Sequence, residues 1–238
     1  MTNPIYALVR FIFRISYRKP RVYGVENYDE SVPAVFVCNH EKFYGPILAQ
    51  TRFPIKTRTW ANSMTTETRA CNRYIAESLL MGEHGWNKFP AHLVGFLTGW
   101  FVSFIIRSAK PIVSYWDKQR SRKSIRAGVQ AIVDGENQLL FSRRKEFTDG
   151  KLQFMKGYLF MCKLAGSKHG VNPLLYPVSF NRINETIAIG KPTRLDTGLD
   201  FEEESKRVNA YLLQQVLLGY DNPELMVSAE AMEKASAT

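Results

Sequence analysis

The residues best able to do chemistry in this chain are Asn39 and His40, which directly follow the apolar run Ala34–Cys38. Such a run predicts a short buried strand, so the histidine would stand where a strand passes into a helix. Functional side chains often gather at such places. Histidine accepts a proton near neutral pH, which makes His40 a candidate general base. The alternative is an ordinary structural or exposed histidine, so the surroundings must decide.

Strand and helix patterns alternate along the chain on both sides of this pair. Apolar, β-prone runs predict strands at 22–25, 34–38, 112–115, 138–141, 174–180 and 186–189. Helical spacing predicts four helices. The first begins at Pro46, and the second covers 118–134. The third covers 156–165 and ends at Gly166, and the fourth runs from a cap at Asp200 to Gly219. The alternation predicts a mixed α/β fold with a largely parallel central sheet flanked by helices.

Length and composition favour one main domain in the 238 residues, since no Pro-, Gly- or Ser-rich linker and no repeat interrupts the chain. We expect a membrane-interfacial helix over 1–20, an α/β domain over 21–219 and a polar tail over 220–238. The three cysteines are scattered without CxxC spacing, which argues against a disulfide framework and for a reducing compartment. The sequence has no metal or nucleotide motif, so we expect no metal and no bound cofactor.

The charge balance indicates an anionic partner. The chain has 32 Lys and Arg against 22 Asp and Glu, a net charge of +10 at pH 7. Such an excess is typical of proteins that meet a membrane surface, a nucleic acid or a phosphorylated ligand. The sequence lacks zinc-finger and RNA-recognition motifs, so we expect no nucleic acid as a partner and favour an anionic membrane surface.

The chain start, 5–17, is the first candidate for a membrane contact, because it is apolar apart from two arginines and a serine. Arg10, Arg14 and Arg18 recur every four residues, so a helix would align them in one basic stripe. A bilayer span takes about 20 apolar residues, and this run is shorter. It therefore predicts an amphipathic helix lying at a membrane surface, with an ordinary packing helix as the alternative.

A second apolar stretch covers 89–106 and is bracketed by Lys88 and Arg107. Its length is at the lower edge of what crosses a bilayer. We interpret it as a helix that is buried in the protein or half-inserted into a membrane. A true membrane span is the alternative.

Four sequence blocks follow one another in a fixed order between residues 21 and 193. They are 35–40 (VFVCNH), 112–116 (IVSYW), 139–144 (LLFSRR) followed by 154–157 (FMKG), and 175–180 (LYPVSF). In order and spacing they resemble the glycerophospholipid, or 1-acylglycerol-3-phosphate, acyltransferase family. That family has N-H-x4-D, a second-block Arg, F-P-E-G-T-R before F-K-x-G, and V-P-V. The resemblance implies an α/β fold and O-acyltransferase activity of the glycerolipid type.

Three groups of the family's site have no counterpart in this chain. The family's Asp, at the fifth position after the histidine, falls on Gly45, and its second-block Arg falls on or near Trp116. Its third-block Glu and the following Gly fall on Arg143 and Arg144. The chain therefore resembles a divergent member that keeps the histidine but lacks the motif Asp and the third-block Glu.

The resemblance implies transfer of an acyl group from acyl-CoA or acyl carrier protein to the hydroxyl of a lysophospholipid-type acceptor. His40 would be the general base, with Glu41 and Tyr44 as candidate orienting residues in place of the missing Asp. The acceptor phosphate would be bound by cationic side chains, since these pair with phosphate oxygens. They are Arg143, Arg144, Lys145 and Lys156, for which a solvated basic loop is the alternative. The expected location is the cytoplasmic face of a membrane, in a peripheral or monotopic mode.

Two other functions stay open at this point. One is a catalytically degenerate protein of the same fold that binds lipid or acyl carrier at the membrane surface, which the replacements at Gly45, Trp116 and Arg143 favour. The other is a basic membrane-surface or interaction protein that shares only the fold. We favour the acyltransferase, because function depends on the site rather than the fold and His40 keeps its local setting.

Overall fold

The structure is a computed structural model that describes residues 3–41, 43–115, 117–141 and 157–227. The strands within these residues are β1 (Arg21–Tyr23), β2 (Ala34–Cys38), β3 (Arg58–Asn62), β4 (Ile112–Ser114), β5 (Gln138–Phe141), β6 (Leu174–Asn181) and β7 (Thr186–Ile189). The helices are α1 (Pro4–Ser16), α2 (Tyr44–Thr51), α3 (Ser63–Thr66), α4 (Thr68–Arg73), α5 (Lys88–Ser108), α6 (Lys118–Val133), α7 (Gly157–His169), α8 (Phe201–Asp221) and α9 (Pro223–Val227). A π-helical segment, Tyr74–Glu83, directly follows α4.

Backbone contacts divide the chain into two compact units. The smaller contains residues 1–12 and 58–124, and the larger contains residues 13–57 and 125–238. The division expected from the sequence, over 1–20, 21–219 and 220–238, stays a prediction.

The larger unit is built on the strand order β1-β7-β6-β2-β5. Strand β2 runs parallel to both β5 and β6, and β1 runs parallel to β7. Strands β6 and β7 form an antiparallel pair and are joined by a short turn over residues 182–185. With β3 and β4 also parallel, the strands are largely parallel and flanked by helices. The predicted mixed α/β fold class is therefore confirmed.

The core of this unit lies along β2 and β6, in which every residue is buried. Parallel strands covered on both faces must be apolar on both faces, which is why 34–38 reads as a continuous apolar run. The rings of Phe36 and Tyr176 stack with centroids 5.1 Å apart, and Phe53 meets Phe36 edge-on at 5.2 Å. These contacts fix the central strand that leads to His40.

In the smaller unit, α5 packs closely on α4 and the π-helical segment. Its buried side carries small residues at four-residue spacing: Ala91, Gly95, Gly99 and Ser103. A Cβ atom on Gly95 would come within 2.8 Å of the Asn72 carbonyl oxygen, so only glycine lets the two backbones approach this closely. Of the helices in the described ranges, α5 alone has the length and apolar composition needed to cross a membrane.

Two helices end later than the sequence predicts, and α2 begins at Tyr44, two residues before the predicted start at Pro46. Helix α7 does not stop at Gly166 but continues to His169 and ends before Gly170, which has a φ of +69°. Gly166 serves packing instead, because a Cβ there would lie 2.9 Å from the Thr197 side chain. Helix α8 runs past Gly219 to Asp221.

The start of the predicted polar tail also differs from expectation. Residues 223–227 form helix α9, and its Met226 is buried. Met226 lies beside Gly219 and Gly190, so this short helix packs on the larger unit. Residues 228–238 lie outside the described part of the chain.

Candidate active site

His40 lies between the carboxyl end of β2 and the start of α2. Its ring centroid is 5.5 Å from that of Phe141, the last residue of β5, and Phe141 in turn lies 6.0 Å from Phe180 of β6. The residue is half-buried and its Nδ1 atom is buried. The imidazole thus lies near the carboxyl ends of three neighbouring parallel strands, with the Phe141 ring beside it.

Asn39 fixes the backbone that carries His40. Its side chain is fully buried, and the Nδ2 group donates to the Phe180 carbonyl oxygen at 2.8 Å while the Phe180 amide donates to Oδ1 at 2.8 Å. The amide side chain therefore continues the pairing of β2 with β6 beyond the last strand residue, Cys38. An aspartate could accept one of these bonds but could not donate the other.

The chain turns sharply directly after His40. Glu41 has a φ of +36°, which is uncommon for a residue with a side chain and costs backbone energy. The Tyr44 amide donates to the Glu41 carbonyl oxygen at 3.1 Å, and α2 begins there. The strained turn brings the first residues of α2 back against His40.

This turn brings Gly45 against the backbone of His40. A Cβ atom at this position would lie 2.8 Å from the His40 carbonyl oxygen and 3.4 Å from Cε1 of Phe141. The first distance is too short for a real contact, so the backbone arrangement leaves no room for a side chain. The chain therefore lacks the family's aspartate at a position where the packing leaves no room for an aspartate side chain.

Glu41 makes its contact with helix α8. Its carboxylate accepts a hydrogen bond from the Tyr220 hydroxyl, and burial together with the negative charges of Glu41 and Asp221 raises the pKa of Tyr220. Asn181 donates to the Tyr220 carbonyl oxygen at 2.6 Å, which ties this part of α8 to the end of β6. The predicted orienting role of Glu41 toward the imidazole stays a prediction.

Tyr44 is buried, with its ring centroid 6.0 Å from that of Tyr17. Burial, followed by the nearby charges of Glu185 and Glu41, raises the pKa of its hydroxyl, which therefore stays protonated at neutral pH. Within residues 3–41, 43–115, 117–141 and 157–227 that hydroxyl has no hydrogen-bond partner. The orienting role of Tyr44 toward the imidazole, like that of Glu41, stays a prediction.

The four predicted phosphate-binding residues, Arg143, Arg144, Lys145 and Lys156, lie outside the described residues, as does Trp116. Among the described residues, Phe141 lies two positions before Arg143 and Gly157 directly follows Lys156. Phe141 also contacts the His40 ring. The assignment of these cations to a phosphate site stays a prediction.

A cavity of about 220 Å³ lies at the carboxyl end of α2, the end away from His40. It is lined by three cationic side chains and four others: Arg14, Lys19 and Arg52, with Pro20, Val22, Thr51 and Phe53. The eight residues of α2 span about 12 Å, so this cavity is separate from the surroundings of His40. No group of three or more His, Cys, Asp or Glu residues is arranged to hold a metal ion in the part of the chain that the structure describes.

Comparison with solved structures finds a protein of similar fold. It is the 1-acyl-sn-glycerophosphate (LPA) acyltransferase PlsC from Thermotoga maritima, with a TM-score of 0.55 and 19% identity over 92% of this chain and 77% of that chain. The two chains share a fold. At this identity the likeness concerns architecture, and it confirms the fold that the four sequence blocks imply. The sequence matches no protein-family model and no curated protein.

Sequence reasoning missed three residues of this site: Phe141, Phe180 and Tyr220. A signal for the first existed, because Phe141 ends a predicted strand and the carboxyl ends of parallel strands meet at one edge of a sheet. Phe180 could have been found in the same way from the fourth block. Nothing in the sequence marks Tyr220, which lies 179 residues after Glu41.

Proposed function

We propose that this protein is an O-acyltransferase that moves an acyl group from an acyl thioester to the hydroxyl of a lysophospholipid or glycerol-phosphate acceptor. One observation carries the proposal: Asn39 holds His40 at the carboxyl end of β2, within a fold that PlsC shares. Ligand sites of α/β proteins commonly lie outside the carboxyl ends of the strands. The four sequence blocks, which carry the resemblance, add independent support.

In the proposed reaction His40 accepts the proton of the acceptor hydroxyl as its oxygen attacks the thioester carbonyl. Because Nδ1 is buried, Nε2 is the nitrogen that takes this proton. The tetrahedral intermediate then collapses, the carbon–sulfur bond breaks, and the imidazolium returns the proton to the departing thiolate. The products are the acylated acceptor and a free thiol on coenzyme A or acyl carrier protein.

Glu41 and Tyr44 are the proposed orienting residues, since Gly45 leaves no room for the family's aspartate. A carboxylate beside His40 stabilises the imidazolium and raises the pKa of the imidazole. In Glu41→Gln we expect a lower kcat. We also expect the acid limb of the kcat–pH profile to move to lower pH, because an imidazole of lower pKa stays neutral in more acidic solution. Tyr44→Phe tests the hydroxyl in the same assay. If the kcat–pH profile moves in neither variant, Glu41 and Tyr44 do not orient His40.

The acceptor phosphate is proposed to bind Arg143, Arg144, Lys145 and Lys156. Arg and Lys suit this role because charge-assisted hydrogen bonds to phosphate are short and strong. Replacing Arg143 and Arg144 by Gln is expected to raise KM for the acceptor by tenfold or more while KM for the thioester changes little. An equal effect on both substrates would contradict this assignment.

The second candidate is a degenerate protein of the same fold that binds lipid or acyl carrier without catalysis. The observation that favours it is the close approach of Gly45 to His40, which excludes an aspartate at that position. Either function has the same proposed location, which is the cytoplasmic face of a membrane with an anionic surface. Helix α1 is the proposed amphipathic contact, because Leu8, Phe11 and Ile15 are exposed on it.

The deciding experiment is an acyl-transfer assay with lysophosphatidic acid as acceptor and either acyl-CoA or acyl carrier protein as donor. The native protein, His40→Ala and His169→Ala are compared, His169 being an exposed histidine at the end of α7. We expect the native protein and His169→Ala to form product and His40→Ala to form none. Turnover that survives His40→Ala would overturn the mechanism. No product from a folded native protein that still binds acyl donor would favour the second candidate.

A further inference from the structure

Helix α5 presents a continuous apolar face to the outside of the smaller unit. Its residues on this face are 44–82% exposed. They are Phe89, Leu93, Phe96, Leu97, Trp100 and Phe101. Their spacing of mostly three and four residues places them along one side of the helix. Exposed apolar surface of this extent marks an interaction site.

The other side of α5 is already occupied by protein. Its small residues pack on α4 and the π-helical segment, and Ser103 shares a hydrogen bond of 3.1 Å with Thr68 of α4. Arg107 donates to the same Thr68 hydroxyl at 3.2 Å. The large apolar face is therefore the side of α5 left for another partner, and α5 cannot turn it inward without losing these contacts.

The charges around α5 indicate that the partner is anionic as well as apolar. No Asp or Glu occurs from residue 84 to residue 116, whereas Lys88, Arg107 and Lys110 lie in that range. Lys88 and Arg107 stand at the two ends of the helix and are exposed. Apolar side chains between terminal cations are the pattern of a helix that meets acyl chains along its length and anionic headgroups at its ends.

The helices packed on α5 decide between a membrane span and a helix lying in the membrane surface. Arg69 and Arg73 of α4 and Glu77 of the π-helical segment are exposed. If α5 crossed the bilayer, these charged side chains would be carried into the hydrocarbon with it, where charge is costly. With α5 flat in the surface, they stay on the aqueous side while the opposite face meets lipid.

We propose that α5 lies in the plane of the membrane, embedded in one leaflet at the boundary between headgroups and acyl chains. The apolar face around Leu97 and Trp100 contacts acyl chains, and the exposed Lys88 and Lys110 contact anionic phosphates. This inference shares with the proposed function only the membrane as a partner, so it stands if the protein proves not to be catalytic.

The test is sedimentation with vesicles of phosphatidylcholine and phosphatidylglycerol, in the absence of any acyl donor or acceptor. Leu97→Glu is compared with Leu199→Glu, a leucine of similar exposure in the larger unit (62% and 58% exposed). We expect the native protein, His40→Ala and Leu199→Glu to bind these vesicles alike, and Leu97→Glu to bind at least tenfold less. Circular dichroism checks that both leucine variants are folded. Equal vesicle binding by the two leucine variants would overturn the proposal.

Fluorescence quenching tests the orientation. Trp100 emission is isolated as the difference between the native protein and Trp100→Phe, in vesicles whose lipids carry bromine at a shallow or a deep acyl position. Stronger quenching by the shallow bromines is expected for a helix in the membrane plane. Stronger quenching by the deep bromines would contradict that orientation. If Leu97→Glu instead changes only the mass of the protein in lipid-free solution, a second copy of the chain covers the face and the proposal is wrong.

Discussion

Gly45 lies against the backbone of His40, so closely that a Cβ atom would come within 2.8 Å of the His40 carbonyl oxygen. The same position carries an aspartate in the acyltransferase family that the chain resembles. Restoring the family's residue would therefore push against the backbone of the proposed base. The backbone geometry at Gly45 therefore requires glycine, which explains why the acid is absent at this position.

Substitution of Gly45 tests this relationship. Gly45→Ala and Gly45→Asp should each lower the free energy of unfolding by about 1–3 kcal/mol, since overpacking forces the surrounding backbone to move. Both should also lower acyl transfer, because His40 is displaced. Urea unfolding and the acyl-transfer assay provide the measurements. Gly157→Ala is the stability control, since a Cβ at Gly157 would meet no atom of the described residues within 4 Å. Higher activity in Gly45→Asp would show that the site accommodates the acid after all.

Asn39 should prove essential for stability as well as for the position of His40. In Asn39→Ala the amide and carbonyl groups of Phe180 lose their partners inside the core, and each buried unsatisfied group costs about 1–3 kcal/mol. Asn39→Asp removes the donor alone and should be intermediate. Thermal and urea unfolding measure the effect against Asn184→Ala, at an exposed position in the β6–β7 turn. Variants of Asn39 as stable as this control would contradict the role of the two hydrogen bonds.

All three cysteines should be unreactive in the folded protein. Cys38, Cys71 and Cys162 are buried and free, and burial raises the pKa of each thiol, that of Cys162 to about 12. The thiolate is the reactive form, so a higher pKa leaves less of it at pH 8. Titration with a chromogenic disulfide should detect fewer than one thiol in buffer and three in urea. Fast reaction of even one cysteine in buffer would indicate local opening near that residue.

Glu204 should make stability depend on pH. The carboxylate is 2% exposed, accepts hydrogen bonds from Arg207 at 2.6 and 2.7 Å, and accepts one from the Asp196 amide at 2.8 Å. The bonds to Arg207 are the main cause that lowers the pKa of Glu204. A lowered pKa in the folded state gives stability that is present above the unfolded pKa of about 4.3 and is lost as pH falls through the folded pKa.

The matched variants are Glu204→Gln and Glu203→Gln, the second being exposed in the same helical turn. At pH 7 Glu204→Gln should lose about 1–3 kcal/mol of unfolding free energy, since Arg207 and the Asp196 amide lose a charged acceptor. The difference in unfolding free energy between Glu204→Gln and the native protein should become smaller as the pH falls below about 4.3, where the native Glu204 carboxylate also becomes protonated. If this difference in unfolding free energy stays constant down to pH 3, the protonation of Glu204 does not control the stability.

The strands around the site could be predicted from sequence because burial on both faces leaves a clear signal. Residues 34–38 and 138–141 appear as strands with the predicted bounds, since each is a short apolar run between turn-forming neighbours. Strand β3, Arg58–Asn62, was missed. Its residues are mostly half-buried and chemically mixed, so neither alternation nor a continuous apolar run identifies it.

Contacts between distant residues explain the rest of the differences. A glycine inside a helical pattern can either end the helix or allow close packing. The Thr197 side chain beside Gly166 shows that this glycine allows close packing. The composition of 89–106 predicts an apolar helix, but the small residues facing α4 decide which side of it is exposed. At the candidate site, the sequence predicts where His40 lies, whereas the contact between Glu41 and Tyr220 depends on the packing of α8.

The pairing of Asn39 with β6 also has a kinetic consequence. Strand β6 is buried along all eight residues and pairs with β2 on one side and β7 on the other. Backbone amides in such a strand exchange their hydrogens with solvent only when large parts of a protein open together. The Phe180 amide belongs to this slow group, and its partner is the residue next to His40. We therefore expect the proposed base to be attached to a part of the sheet that opens slowly, even though the turn that follows it is strained.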